Sequence, residues 1–345
     1  SKPMLPTEKA LGYFDTYFKP VYGDLWPSIR VSLLSGQKYG AVLNNYCQNE
    51  TENFLKDLGA KNMIEIAQNA KSGWNTSDVD SVNKDGEKLD LPENLKVFTY
   101  KPGNISDFPP PKPDKSKLLG YYLLDASSIL PVISLNIKPG EKVLDLCAAP
   151  GGKTLTMLQS LIPVYITSND ISASRIARLK TILKYYVPLS HQYVDTSCVD
   201  ARQLSLPHSF DKVLVDVPCN CDRVSLLSDS NNIFSPVRED KRLKMSALQK
   251  DILVSGIKHC KPGGSIVYST CTLSPPQNDG VIQAALEQIW QNTPIDVSVE
   301  DISIITQQFK DTFTFFHNCR HGQLVIPSLT KNFGPMYIAK LNRIK

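Results

Sequence analysis

Beyond residue 118 the chain alternates short β-rich runs with helical segments, at a spacing that leaves few folds open. Strand candidates are K-V-L-D-L (142–146), V-Y-I-T-S-N (164–169), K-V-L-V-D-V (212–217) and S-I-V-Y-S (265–269). Between them lie K-T-L-T-M-L-Q-S-L, S-R-I-A-R-L-K-T-I-L-K-Y-Y and A-L-Q-K-D-I-L-V-S-G-I-K-H-C, each with apolar residues at helical periodicity. This alternation predicts an α/β fold with a doubly wound, mainly parallel sheet. Ligands of such sheets bind beyond the C-terminal ends of the strands, so the chemistry is expected where these strands stop.

The first hundred residues read differently. L-G-Y-F-D-T-Y-F-K-P-V-Y carries Leu11, Phe14, Phe18 and Val21 at helical spacing, and residues 1 to about 105 are expected to be mostly helical. The polar stretch at 75–88 reads as a loop or disordered insert, and S-D-F-P-P-P-K-P-D-K-S-K (106–117) as an extended linker. Two regions follow: 1–117, helical with a Pro-rich linker, and 118–345, holding the sheet. A chain of 345 residues with 41% hydrophobic content can bury a core of that size. No apolar run reaches the roughly 20 residues of a membrane span, so a soluble protein is expected. The chain starts on Ser1 with neither a secretory nor an Arg-rich amphipathic segment, which leaves room for a targeting segment already removed.

In V-L-D-L-C-A-A-P-G-G-K-T a strand ends near Cys147, and a helix begins near Lys153. Gly151 and Gly152 let the backbone approach a ligand, and the helix start offers free N–H groups. The P-loop pattern fails, because Cys147 stands where its first glycine belongs, and G-x-G-x-x-G is absent. Asp170 closes the second strand, where an acid meets ribose hydroxyls in nucleotide-binding sheets. Asp200 follows the third strand, suitably placed for an adenine. Together these residues describe a site for an adenosine ligand lacking a triphosphate.

Of the eight cysteines, two close strands: Cys219 in V-L-V-D-V-P-C-N-C-D-R and Cys271 in Y-S-T-C-T. A metal site, a disulfide, a redox pair and a catalytic thiol each remain open for such a pattern. Cys219-x-Cys221 has no second pair at ligand spacing and the five histidines are scattered, so no metal is expected. The dispersed cysteines read as reduced rather than as a disulfide framework. The two segments are successive strand–helix units, which predicts that Cys219, Cys271 and Asp216 share one rim facing the adenosine site.

D-L-C-A-A-P-G-G-K-T, F-D-K-V-L-V-D-V-P-C and V-Y-S-T-C-T-L-S-P-P-Q-N together resemble the RNA cytosine-5 methyltransferases of the NOL/NOP/Sun family, over roughly residues 118 to 345. The pairing of P-C with T-C is specific to that family. The resemblance implies a Rossmann-like class I fold and S-adenosylmethionine as cofactor. It implies that Gly151, Gly152 and Lys153 surround the methionine end and Asp170 the ribose, with Arg175, Asp200 and Asp216 nearby. It makes Cys271 the nucleophile that adds to carbon 6 of cytosine and Cys219 the residue of the release step. Asp216 meets the exocyclic amine and ring nitrogen 3. Many relatives have P-C-S-G where this chain has P-C-N-C, so Cys221 has no family role and is expected to be an inert packing residue.

G-D-L-W-P-S-I-R-V-S-L-L-S-G-Q-K-Y-G (23–40) and N-F-G-P-M-Y (332–337) resemble the family's mitochondrial small-subunit rRNA branch. That implies mitochondrial small-subunit rRNA as substrate, a matrix location, a part in ribosome assembly and a partner among the mTERF-like helical-repeat proteins. The net charge of +4 is small for holding RNA unaided, which fits a partner that supplies phosphate contacts. R-E-D-K-R-L-K (238–244) is the candidate RNA contact. Mitochondrial tRNA, or a mainly non-catalytic assembly role, are the alternatives.

Overall fold

A computed structural model describes residues 3–47, 50–72 and 90–345; the polar stretch at 75–88 lies outside the described residues. Helices Pro6–Tyr17 and Trp26–Leu34 open the chain. Strands β1 (Gly40–Leu43), β2 (Lys61–Asn62), β3 (Val97–Thr99) and β4 (Tyr121–Leu124) then form a small antiparallel sheet in the order β2-β3-β1-β4. The helical expectation for residues 1–105 therefore holds for the helices but misses three strands. Those strands are two to four residues long, with β1 and β3 buried throughout, too short for any alternation to register.

The large sheet holds β5 (Lys142–Asp145), β6 (Tyr165–Asn169), β7 (Val194–Ser197), β8 (Phe210–Asp216) and β9 (Cys260–Thr270). It continues with β10 (Val297–Glu300), β11 (Thr314–Phe316), β12 (Gln323–Ile326) and β13 (Met336–Arg343). Its order is β11-β12-β13-β9-β8-β5-β6-β7, with β10 along β13. The run from β7 to β9 is parallel, as the strand–helix alternation predicts, and β10 to β13 add an antiparallel half. Strand order reverses at β5, between β6 and β8, which is where a doubly wound sheet opens its crevice.

Alternate residues of the central strands feed two cores. Leu144, Val213, Val215, Ile266 and Tyr268 face the helices Met245–His259 and Asp279–Asn292, together with the N-terminal aromatics. Val143, Leu214 and Val267 face the helices Ile129–Ser134, Gly152–Gln159 and Ala173–Tyr186. Gly256 lets helix Met245–His259 seat on β8, since a Cβ there would lie 2.6 Å from Val215 Cγ2. K-P-G-G (261–264) is part of β9, with Gly263 at φ +81° and a register irregularity facing Phe210 and Lys212.

The Pro-rich stretch 106–117 is tied down. Phe108 stacks on Tyr100, and the Tyr121 hydroxyl donates to the Pro109 carbonyl. No helix among the described residues is long and apolar enough to cross a membrane.

Candidate active site

The parallel strands end on one rim, and the loops that follow carry the singled-out residues. After β5 the chain reaches Gly151, at φ +114°, which caps helix Gly152–Gln159. A side chain here would be strained, and its Cβ would lie 3.0 Å from Leu179 Cγ. Asp170, just beyond β6, is 2% exposed; it accepts from Ser172 N at 3.0 Å and pairs with Arg175 at 3.1 Å. Arg175 also donates to the Ala149 carbonyl, linking the first two loops. Asp200 is held by Arg202 at 2.6 Å, and that hydrogen bond keeps its carboxyl below the usual range.

Sequence reasoning passed over Asn169 and Asp145. Asn169, fully buried at the end of β6, donates to the carbonyls of Leu146 and Val199 and accepts from Ser197 Oγ and Val199 N. It thus ties together the loops after β5, β6 and β7. Asp145, the last residue of β5, accepts from Thr154 Oγ1 at 2.7 Å, while its Oδ1 has no hydrogen-bond partner among the described residues. Burial pushes its carboxyl up to about 7. A buried acceptor without a partner, beside a glycine-lined helix start, fits a ligand that brings an amino group.

Asp216 ends β8, and its parallel register with β9 sets it opposite Ser269. Lys153 Nζ donates to one carboxylate oxygen at 2.8 Å and Ser269 Oγ to the other at 2.6 Å. Burial works against the charge on Lys153, but Asp216's charge and hydrogen bond win, so the lysine stays protonated. Lys153 therefore joins the adenosine-side loop to the cysteine rim.

The same register brings the cysteines together. Cys219 Sγ lies 2.9 Å from Cys271 Sγ, across a separation of 52 residues. Cys221 lies there too, its sulfur 3.7 Å from Cys219 and 3.5 Å from Cys271. Cys221, expected to be an inert packing residue, thus lies beside both rim cysteines, a neighbourhood that ligand spacing along the chain does not reveal because Cys271 arrives from β9. Cys221 turns back onto the rim because it adopts a left-handed conformation, φ +49°, as cap of helix Asp222–Leu227. None of the cysteines is in a disulfide. Hydrogen bonds from Cys219 and Cys271 hold the Cys221 thiol well below its usual range. Contacts with Cys219 and Cys221, together with burial, push Cys271 well up.

The two cysteine loops are locked to each other. Asp222, fully buried, accepts from Thr272 Oγ1 and from Leu273 N, both at 2.7 Å. Gln249 donates to Pro218 O and to Gln277 Oε1, and Asn278 donates to Thr272 O. The candidate RNA segment 238–244 is partly engaged within the chain. Lys244 pairs with Asp240 at 2.8 Å, and the Arg242 guanidinium lies over Phe234 at 5.1 Å and Tyr13 at 5.5 Å.

Comparison with known proteins now bears on this rim. Residues 132–342 match the family model described as 16S rRNA methyltransferase RsmB/F. The chain is 45% identical to the 5-cytosine rRNA methyltransferase NSUN4 of Xenopus laevis, over 99% of this chain and 92% of that protein. It belongs to the NOL/NOP/Sun family. With NSUN4 of Mus musculus it shares 44% identity, over 97% of this chain and 88% of that one. A mitochondrial tRNA (cytosine(34)-C(5))-methyltransferase of Danio rerio is 34% identical, over 98% and 88%. The fold is that of NSun6 from Pyrococcus horikoshii, solved with SFG, at a TM-score of 0.63 and 18% identity, covering 96% of this chain and 97% of that one. As a member of this family the chain is an RNA cytosine-5 methyltransferase that uses S-adenosylmethionine. The glycine turn, the helix start and the open Asp145 acceptor fit that cofactor.

Proposed function

We propose that this chain methylates carbon 5 of a cytosine in mitochondrial small-subunit rRNA, with Cys271 as nucleophile. The observation that carries the chemistry is the meeting of Cys219 and Cys271 at 2.9 Å beside Asp216. Identity of 44–45% to rRNA methyltransferases, against 34% to a mitochondrial tRNA enzyme, supports the choice of RNA. Gly151, Gly152 and Asp145 hold the methionine end of S-adenosylmethionine, Asp170 with Arg175 the ribose side, and Asp200 the adenine side.

Carbon 5 of cytosine is too weak a nucleophile to be alkylated unaided. Cys271 gives up its thiol proton to solvent, the thiolate sulfur adds to carbon 6, and the carbon 5–carbon 6 electron pair shifts to carbon 5. S-adenosylmethionine supplies an electrophilic methyl group. Asp216, fixed by Lys153 and Ser269, faces ring nitrogen 3 and accepts from the exocyclic amine, and the protonated Lys153 paired with it offsets the negative charge that develops on the ring. In the release step Cys219 takes the carbon 5 proton, the double bond re-forms, and the sulfur–carbon 6 bond breaks with its pair returning to Cys271. The base is unstacked for this attack, since carbon 6 is reached from the ring face.

Residues 118–345 carry this chemistry in the proposal, and residues 1–117 serve RNA and partner binding. An mTERF-like helical-repeat protein supplies phosphate contacts that a net charge of +4 does not. The protein acts in the mitochondrial matrix, and its product feeds small-subunit assembly.

Labelled S-adenosylmethionine with separated mitochondrial RNAs tests the reading. Small-subunit rRNA takes label with wild type. Cys271→Ala abolishes transfer, and Cys219→Ala accumulates a covalent protein–RNA adduct. An adduct trapped by Cys271→Ala instead would reverse the two roles, and label confined to tRNA would overturn the substrate.

A further inference from the structure

Three thiols meet on the rim although the methylation chemistry uses two. Cys219, Cys221 and Cys271 form a triangle of sulfurs with sides of 2.9, 3.5 and 3.7 Å. Among the described residues the hydrogen-bond contacts of their sulfurs are with one another, apart from the Cys221 amide at 3.4 Å from Cys219 Sγ. Cys219 is buried, and Cys221 and Cys271 are partly exposed, so the triangle is reachable from one side.

We infer that Cys219, Cys221 and Cys271 form a binding site for a thiophilic d10 cation of the zinc type. Three thiolates around such an ion, with zinc–sulfur bonds of about 2.3 Å, stand about 3.8 Å apart in tetrahedral geometry. Two sides of the triangle already have nearly that length. The third is reached when the Cys219 and Cys271 sulfurs, now in thiol contact, separate by less than an ångström. The three ligands come from two loops whose relative position is fixed by the β8–β9 register and by Asp222. The site is thus organised before any metal arrives. A fourth position remains open toward the partly exposed side, where water completes a tetrahedron. Soft thiolate ligands favour zinc over magnesium or calcium.

Binding balances simply: each thiol that ligates releases its proton to solvent, and the ion forms a sulfur–metal bond in its place, with no change of oxidation state. The consequence for catalysis rests on the proposed roles of Cys271 and Cys219. A bound ion occupies the electron pair that would attack carbon 6, so metal-loaded protein is silent and a chelator restores it. Cys221 is the residue that adds the third ligand without a place in the methyl-transfer chemistry.

Cobalt(II) titration of the reduced full chain reads the site without any methyl transfer. The expected result is a near-ultraviolet thiolate-to-cobalt absorption band that saturates at one equivalent and is bleached by Zn2+. Cys221→Ser and Cys271→Ser weaken cobalt binding about tenfold or more, on the scale of altered metal-site shells. Cys198→Ser, an exposed cysteine elsewhere, leaves the titration unchanged. A second arm measures methyl transfer with Zn2+ added: wild type is inhibited and recovers with chelator, and Cys221→Ser needs about tenfold more Zn2+ for the same inhibition. Absence of the band in reduced wild type, or an undiminished band in Cys221→Ser, overturns the inference. A band that depends on Cys221 in a protein that methylates no RNA supports the metal site while removing the proposed function.

Discussion

Asp145 sits at the end of β5 with one carboxylate oxygen satisfied by Thr154 and the other open. Unfolded, such a group titrates near 3.8; folded, burial raises it to about 7. Between those values the folded chain keeps a proton that the unfolded chain has lost. The stability this group contributes is therefore fully present below about pH 4 and declines as pH rises to about 7, above which it is flat. Asp145→Asn removes the titration while keeping the shape. Thermal unfolding of both proteins from about pH 4 to about pH 8 is expected to show wild type losing ground to the variant, with the loss ending near pH 7. A gap independent of pH would remove the assignment. Asp222 acts by position instead: its two 2.7 Å hydrogen bonds hold the loop that presents Cys271. Asp222→Ala is expected to slow methyl transfer roughly 10- to 100-fold, since small misplacements of a nucleophile carry that cost. Affinity for S-adenosylmethionine, measured by calorimetry, stays the same, because the cofactor loops follow other strands. Equal losses in turnover and cofactor affinity would mean a general loosening.

At the scale of elements, what the site needs is that three loops hold still. Asn169 does this for the loops after β5, β6 and β7, with each amide atom making two hydrogen bonds. Asn169→Leu keeps the volume and strands buried backbone groups, at about 1–3 kcal/mol each. The expected loss is roughly 2–4 kcal/mol in urea unfolding, together with weaker S-adenosylmethionine binding. An unchanged unfolding midpoint would contradict it. The strand ends themselves were legible: glycines, acids and cysteines interrupt apolar runs where β5, β6, β8 and β9 stop. The neighbourhood of Cys221 was not. Its place depends on a non-glycine residue at φ +49° and on a strand pairing across 50 residues, neither of which local spacing encodes. The antiparallel strands β10 to β13 were likewise unmarked, because they follow one another with short connections and no recurring helix to set an interval.

Across the whole molecule, the N-terminal region is built into the methyltransferase core. Phe14 stacks on Phe18, which meets Tyr22 and Trp26 edge to face; all four share a core with Val215 and Tyr268, and the Tyr22 hydroxyl donates to Leu273 O beside the Cys271 loop. Helical spacing identified Phe14 and Phe18 correctly, but spacing cannot say what a helix packs on. The fastening that closes this arrangement is Arg223, 7% exposed. Its guanidinium donates to Ser32 O at 3.1 Å, Asn332 Oδ1 at 2.8 Å and Gly334 O at 3.0 Å. It thereby joins helix Trp26–Leu34, the loop before β13 and the helix that starts beside Cys221. A planar fork holds its donors apart at fixed angles and so meets acceptors on three separate segments, whereas an ammonium gathers its three donors on one atom. Arg223→Lys keeps the charge and loses that geometry, removing the arginine's donors from the Gly334 carbonyl and Asn332 Oδ1. The expected cost is about 2–4 kcal/mol of unfolding free energy, with methyl transfer reduced because the Cys221 helix is no longer anchored. S-adenosylmethionine affinity of the folded protein is expected to stay unchanged, since Arg223 touches none of the loops after β5, β6 and β7. Unfolding in urea, followed by calorimetry at a denaturant-free temperature well below the transition, separates the two effects. A variant as stable as wild type would show that the three segments hold together without the arginine.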